Sequence, residues 1–344
     1  SPPPPPSISS INQYGITDER LWTKDKAAEV IGTVNLTADR EVRGLHIYEP
    51  NQGGSRVNLN GKTLAVNREG IHVYSYIDSY IGGGKLTATY SDLNIYNNLS
   101  SVHVLAISAI IADNAQGKVN LIVSGDHGSG YGIVQIDGSE SNLFTGDLYV
   151  RGSNLVSLIK EKGATAIQGD AYIENGGSLE IFLSNQIADS STVHLKGYAA
   201  TSSLRFARQS SENIEEVFHR LVIEGRGGIS FEGGRPDFIH GQRHLFLDDL
   251  EVKADSMLSV TEWEWGRDHL LVRRDSKHLQ ESLKRMQFAG YDSNAIHLVD
   301  YNKDYWEISA LPEPAAYGAG LMLGVIGFAR YRRRRKCRRT CPGE

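Results

Sequence analysis

The residues of this chain that could do chemistry are few and scattered. Asp248 and Asp249 form the best acidic pair, and paired carboxylates on one face supply the acid and base of glycan cleavage. Adjacent strand residues point to opposite faces, so this pair converges only at a turn; a solvated turn is the expectation. Asp147 and Asp170 hold the same place in a repeat and are expected to stack. Two stacked carboxylates are too few for Ca²⁺, which leaves turn capping. His240 and His244 lie four apart, with Asp237 and Asp248 nearby. On a helix that spacing would present two metal ligands, but Gly241 to Leu247 reads as a turn entering a strand. Asp126, His127 and Ser129 are close in sequence without the spacing of a nucleophile elbow, and read as a flexible turn. Trp263 and Trp265 alternate as if on one strand face, and with Tyr305 and Trp306 would either meet a sugar ring or pack a cap. Cys337 and Cys341 are the only cysteines, and a lone C-x3-C is a weak metal signal. No catalytic residue, metal site or cofactor is assigned, and no phosphate loop or nucleotide fingerprint occurs.

The elements that must position these residues are short strands. Gly reaches 36 residues in a chain of 344, and Gly with Asn, Asp and Ser marks many turns. From about residue 30 to 275, apolar or alternating runs of four to six residues recur, among them 93–96, 103–107, 119–123, 133–136, 148–150, 179–183, 193–195, 221–223, 245–247 and 270–272. One repeat is visible: Gly146-Asp147-Leu148-Tyr149-Val150 returns 23 residues later as Gly169-Asp170-Ala171-Tyr172-Ile173. That offset is close to one coil of a parallel β-helix, whose coils bury their apolar sides only by stacking. The expected fold is all-β, a right-handed parallel β-helix with one C-terminal hydrophobic helix; a β-sandwich is the alternative.

The expected layout is a disordered Pro-rich lead over 1–25, a repeat body over 26–275, a cap over 276–309 and a tail over 310–344. Leu279, Leu283 and Met286 are spaced for a short amphipathic helix within 276–288. The start at Ser1, followed by Pro2 to Pro6, suggests a mature form or a fragment.

Charge is divided. The net charge is −5, but residues 330–344 hold eight Lys or Arg and one Glu, +7, which leaves −12 on the rest. An acidic body is a poor partner for nucleic acid. The basic block reads instead as a membrane-flanking signal.

The tail carries the sharpest pattern. Pro312-Glu313-Pro314 precedes a Gly-rich apolar stretch with Ala315, Leu321, Leu323, Val325, Ile326 and Phe328, then Arg330, Arg332, Arg333, Arg334, Arg335 and Lys336. The stretch 315–329 spans about 22 Å as a helix, short for a membrane core of about 30 Å unless extended back to Ala310. These three parts, in this order, resemble the PEP-CTERM sorting signal. The resemblance implies an exported protein of a Gram-negative bacterium, held transiently in the inner membrane and recognised at Pro312, Glu313 and Pro314 by an exosortase, a membrane peptidase. It also implies a final place at the cell surface or in extracellular polysaccharide. Leu311 stands where that family often has Val.

A second resemblance covers part of the body. Asn142-Leu143-Phe144-Thr145-Gly146-Asp147, with Val150 and Gly152 to Leu155, is similar to an autotransporter-associated β-strand repeat. Asn185-Gln186-Ile187 and Thr192 to Leu195 resemble its downstream part. The likeness implies a parallel β-helix but no autotransporter, since no run of barrel strands follows. The expected role is structural or adhesive, with the acidic flank as binding surface. The alternatives are a carbohydrate-active β-helix enzyme, polysaccharide lyase or hydrolase, and an uncleaved tail-anchored protein.

Overall fold

The computed structural model describes residues 17–49, 54–75, 77–99, 103–125, 132–207, 212–232, 241–292 and 295–310. The chain is a β-solenoid of about nine turns. Consecutive coils pair in parallel on three faces. On the first, Ala27–Val30 pairs with residues 44–47, and the stack continues through Asp92–Asn97, Asn120–Ser124, Leu148–Arg151 and Ala171–Glu174 to 249–252. The second runs from Thr33–Asn35 to Met286–Phe288. The third holds 40–42, 63–66, Lys85–Ala88 and Ile110–Ile111, and later 214–218, 243–247 and Asp268–Arg273. Parallel pairing throughout the body excludes the sandwich.

The period-two alternation of the sequence sends every second side chain inward. On the first face Leu45, Ile71, Ile95, Val123, Val150, Ile173, Leu195 and Ile223 are aligned coil upon coil, each fully buried. Each buried aliphatic side chain contributes roughly 1.5–3 kcal/mol of transfer free energy, and none is obtained until the next coil stacks.

The third face is interrupted between coils, at the isolated bridges Ala112↔Leu143 and Ile167↔Ile187. Buried side chains supply the missing hydrogen bonds there. Asn142 Oδ1 accepts from Ile111 N at 3.0 Å while Nδ2 donates to Ala166 O at 2.9 Å. Gln186 bridges Lys160 N and O at 2.7 and 3.0 Å. Glu216 accepts from Gln186 N and Ile187 N at 2.9 and 2.8 Å. These are the Asn142 and Asn185-Gln186-Ile187 positions of the repeat-like segments, and their work is internal.

Both ends are covered. Residues 17–22, placed in the lead by sequence, hold a 3₁₀ turn at Glu19–Leu21, and Trp22 is buried on the core. At the other end the helix expected across 276–288 is confined to Leu279–Leu283, and Met286 opens a strand. Ser282 Oγ accepts from Val252 N at 2.8 Å and donates to Leu250 O at 2.9 Å, closing the first face. Tyr305–Ala310 pairs antiparallel with Asp268–Arg273 and Ile296–Asp300, which stops the parallel stack on the third. The tail from Leu311 onward, with its hydrophobic segment, lies outside the described residues, among which no helix is long and apolar enough to cross a membrane.

Candidate functional site

Asp248 and Asp249 sit where the chain leaves the third face for the first. Leu247 and Leu250 both point inward, so the alternation breaks between them and both carboxylates face outward. The convergence that a straight strand forbids is produced by this corner. The coil below contributes His219 and Arg220, and the segment above contributes Arg273 and His278. Together they line a cleft of about 400 Å³.

Two carboxylate–imidazole pairs stand side by side. Asp248 Oδ2 lies 3.0 Å from His219 Nδ1, and Asp249 Oδ2 lies 2.6 Å from His278 Nδ1. An ionised carboxylate only accepts, so Nδ1 carries the proton in each pair and Nε2 is left as the basic nitrogen. Ser276 Oγ donates to Asp249 Oδ1 at 2.6 Å, not to an imidazole, so no Ser-His-Asp relay is formed. Burial pushes the Asp249 carboxyl up, but the Ser276 hydroxyl and the His278 imidazole and amide outweigh it and hold it below its ordinary value. Arg220 reaches Glu251 at 2.5 Å and Asp249 at 3.3 Å, and Arg273 Nε lies 3.9 Å from Asp248. Chemically, the cleft offers two oriented bases between two guanidinium groups.

Sequence reading singled out the two carboxylates and missed their partners. His219 and Asp248, and Asp249 and His278, are each 29 residues apart. One coil is longer here than the 23-residue repeat upstream, so that repeat does not lead to them.

The other candidates disperse. Asp147 and Asp170 do stack, and they cap: Asp147 Oδ1 accepts from Asp170 N at 3.1 Å, and Asp170 Oδ1 from Thr192 N at 2.7 Å. His244 is buried, its ring 4.6 Å from that of His269 and nearly parallel to it; His240 and Asp237 lie outside the described residues, as do Asp126, His127 and Ser129. Among the described residues no group of three or more His, Cys, Asp or Glu could hold a metal ion. Trp263 and Trp265 do not share a strand face, because the strand ends at Thr261 and the chain turns at 265–267. Trp263 is buried edge-on against Phe288 at 5.1 Å and donates to Asp268 O at 2.7 Å, while Trp265 is exposed. Tyr305 packs on Phe246, and the Arg274 guanidinium covers the Trp306 ring at 3.8 Å. Pro312, Glu313 and Pro314, the apolar segment, the basic block and both cysteines lie outside the described residues.

The first face carries outward rows that run along the solenoid axis. Its aromatic positions form two short ladders in different columns: His72 stacks on Tyr96, with His46 edge-on to His72 at 5.1 Å, and Tyr149 stacks on Tyr172 on His194, the stacked centroids 4.5–4.9 Å apart. The adjacent carboxylates are mostly neutralised. Glu174 is 3.0 Å from Arg151, and Glu224 is 3.0 Å from Lys253 and accepts from Tyr198 at 2.8 Å. The acidic flank expected from net charge is therefore, on this face, a mixed surface of rings and ion pairs.

No family model matches this chain, and neither a curated protein nor a solved structure does.

Proposed function

We propose that this chain is an exported surface protein whose solenoid meets extracellular polysaccharide in a structural or adhesive role, delivered through its C-terminal tail as an exosortase substrate. The observation that carries the contact role is the first face, where ladders of tyrosine and histidine alternate with paired charges along the axis. Aromatic rings with polar edges beside adaptable hydrogen-bonding groups suit a hydroxyl-rich ligand. Delivery rests on the sequence at Pro312, Glu313 and Pro314, the apolar stretch and the arginines after it. Replacing Pro312 and Pro314 by Ala in an exosortase-bearing host should leave the protein in the membrane fraction. Unaltered release would count against sorting and for a plain tail anchor.

A second reading is favoured by one observation, the two carboxylate-held imidazoles in the Asp248–Asp249 cleft. Grouped acid–base residues on one flank are what a carbohydrate-active enzyme requires. The full chain, incubated with its host's polysaccharide, would then shorten that polymer, and His278→Ala would abolish the shortening. Unchanged polymer length would remove this reading.

A further inference from the structure

The Asp248–Asp249 cleft decides between two kinds of glycan cleavage. Hydrolysis by a carboxyl pair needs one carboxyl to arrive protonated and give that proton to the leaving oxygen. Neither cleft carboxylate is set for this. Burial alone would raise the Asp249 carboxyl, but Ser276 Oγ at 2.6 Å and the imidazole and amide of His278 at 2.6 and 3.3 Å donate to it and hold it below its ordinary value. Asp248 Oδ2 accepts from His219 at 3.0 Å, and the Arg273 guanidinium lies 3.9 Å from its other oxygen. Both are built as acceptors. The groups left to move protons are the imidazoles, the side chain that exists in both forms near neutral pH. His219 and His278 are 55% and 40% exposed, as contact with a substrate requires.

The cations of the cleft are unequal. Arg220 is committed to Glu251 and Asp249 at 2.5 and 3.3 Å, and Arg273 to Asp275 at 3.2 Å. Lys277 lines the same cleft, is exposed, and has no hydrogen bond or ion pair among the described residues. Its neighbours Ser276 and His278 are both anchored on Asp249, so its backbone is held beside the His278 imidazole. Lys277 is therefore the cation available to a ligand anion.

We infer that this cleft cleaves a uronic acid polysaccharide by β-elimination, with Lys277 on the substrate carboxylate, His278 as base and His219 as acid. The inference rests on the carbohydrate-active reading of the cleft and gives it a substrate class and a reaction. His278 Nε2 removes the hydrogen on the ring carbon that bears the carboxylate. The electron pair of that C–H bond becomes a double bond to the next ring carbon, where the glycosidic C–O bond breaks. The leaving oxygen takes the Nε2 proton of His219, which is doubly protonated at that moment. Lys277 neutralises the charge that builds on the carboxylate. No water is consumed, nothing is oxidised or reduced, and proton exchange with solvent resets both rings. His278 is the base because its bond to Asp249, shorter and to the more buried carboxylate, fixes its ring more firmly than Asp248 fixes His219.

The full chain is incubated with polygalacturonate, polymannuronate, a neutral glucan and the host's own polysaccharide. At least one uronate polymer should shorten, with rising ultraviolet absorbance from the new conjugated double bond and fragment masses that sum to that of the parent chain. The neutral glucan, which has no carboxylate to acidify the hydrogen, should stay intact. His278→Gln, whose amide can still donate to Asp249, should slow the reaction by about two orders of magnitude or more. Lys277→Ala should slow it by about tenfold or more at an unchanged thermal midpoint, since Lys277 makes no contact the fold needs. An unchanged rate in Lys277→Ala overturns the carboxylate assignment. Fragments heavier in sum by one water, or shortening of the neutral glucan, overturn elimination and leave the carbohydrate-active reading standing. No shortening of any of the four polymers overturns the inference and that reading together.

Discussion

Asp147 accepts the backbone N–H of Asp170 at 3.1 Å, one coil further along, and so fixes the height at which that coil begins. The row extends both ways: Asn120 Oδ1 accepts from Asp147 N at 2.9 Å, and Asp170 Oδ1 from Thr192 N at 2.7 Å. Each bond satisfies a corner amide that no strand pairing reaches, as an N-cap does for a helix. Asp147→Ala or Asp170→Ala should each lower stability by about 1 kcal/mol, seen as a lower thermal midpoint.

Gly169 is under a harder constraint. A Cβ there would stand 2.2 Å from Gly146 O, and one on Gly146 would stand 2.3 Å from Val119 O. Backbone atoms of the neighbouring coil cannot step aside. Gly169→Ala should cost about 3 kcal/mol or more, or prevent folding. Gly32→Asn is the contrasting case: φ is +72° with open space around the Cβ position, and Asn tolerates that conformation, so the loss should stay below about 1 kcal/mol.

Buried Glu216 makes stability pH-dependent. Desolvation raises its carboxyl from 4.5 to about 8, against the opposing pull of the Gln186 and Ile187 amides. Asp268 is likewise raised by burial, to about 6. The folded chain therefore keeps protons that the unfolded chain has lost. Stability present at low pH is surrendered as pH rises, through about 6 for Asp268 and about 8 for Glu216. Burial pushes the His72, His46, His194 and His244 imidazoles down, so their contribution rises with pH up to about 6.5; thermal midpoints measured between about pH 6.5 and 8 should fall with rising pH, and Glu216→Gln should flatten that decline. A rising midpoint across that range would contradict this assignment.

The two cleft carboxylates should differ. Asp249 is mostly buried and receives Ser276 Oγ and the amide and imidazole of His278, which dock the segment leading into the terminal helix. Asp249→Asn should cost about 1–3 kcal/mol. Asp248 and His219 are both well exposed, and Asp248→Asn should cost less than about 1 kcal/mol. Equal losses in urea unfolding would mean that the cleft is not organised around Asp249.

The solenoid was legible because its signal is local and repeated. Alternation along 93–96 or 119–123 names the inward residues directly, and the Gly-Asp-x-Tyr frame at 146–150 and 169–173 names the stacked ones. Irregular corners were not legible. That Asp248 and Asp249 face the same way depends on a break in alternation between Leu247 and Leu250, which reads as continuous strand in sequence. Trp263 and Trp265 failed in the opposite sense: their spacing of two suits a strand, but Trp265 to Arg267 form a turn and separate them.

The delivery claim is tested most directly by the intact mass of the protein recovered from its native host, beside the same chain made in a host without an exosortase. Loss of the segment after the Pro312-Glu313-Pro314 motif in the native host alone is the expected result. A C-terminus intact to Glu344 in both hosts would contradict sorting and leave the chain a permanently anchored membrane protein.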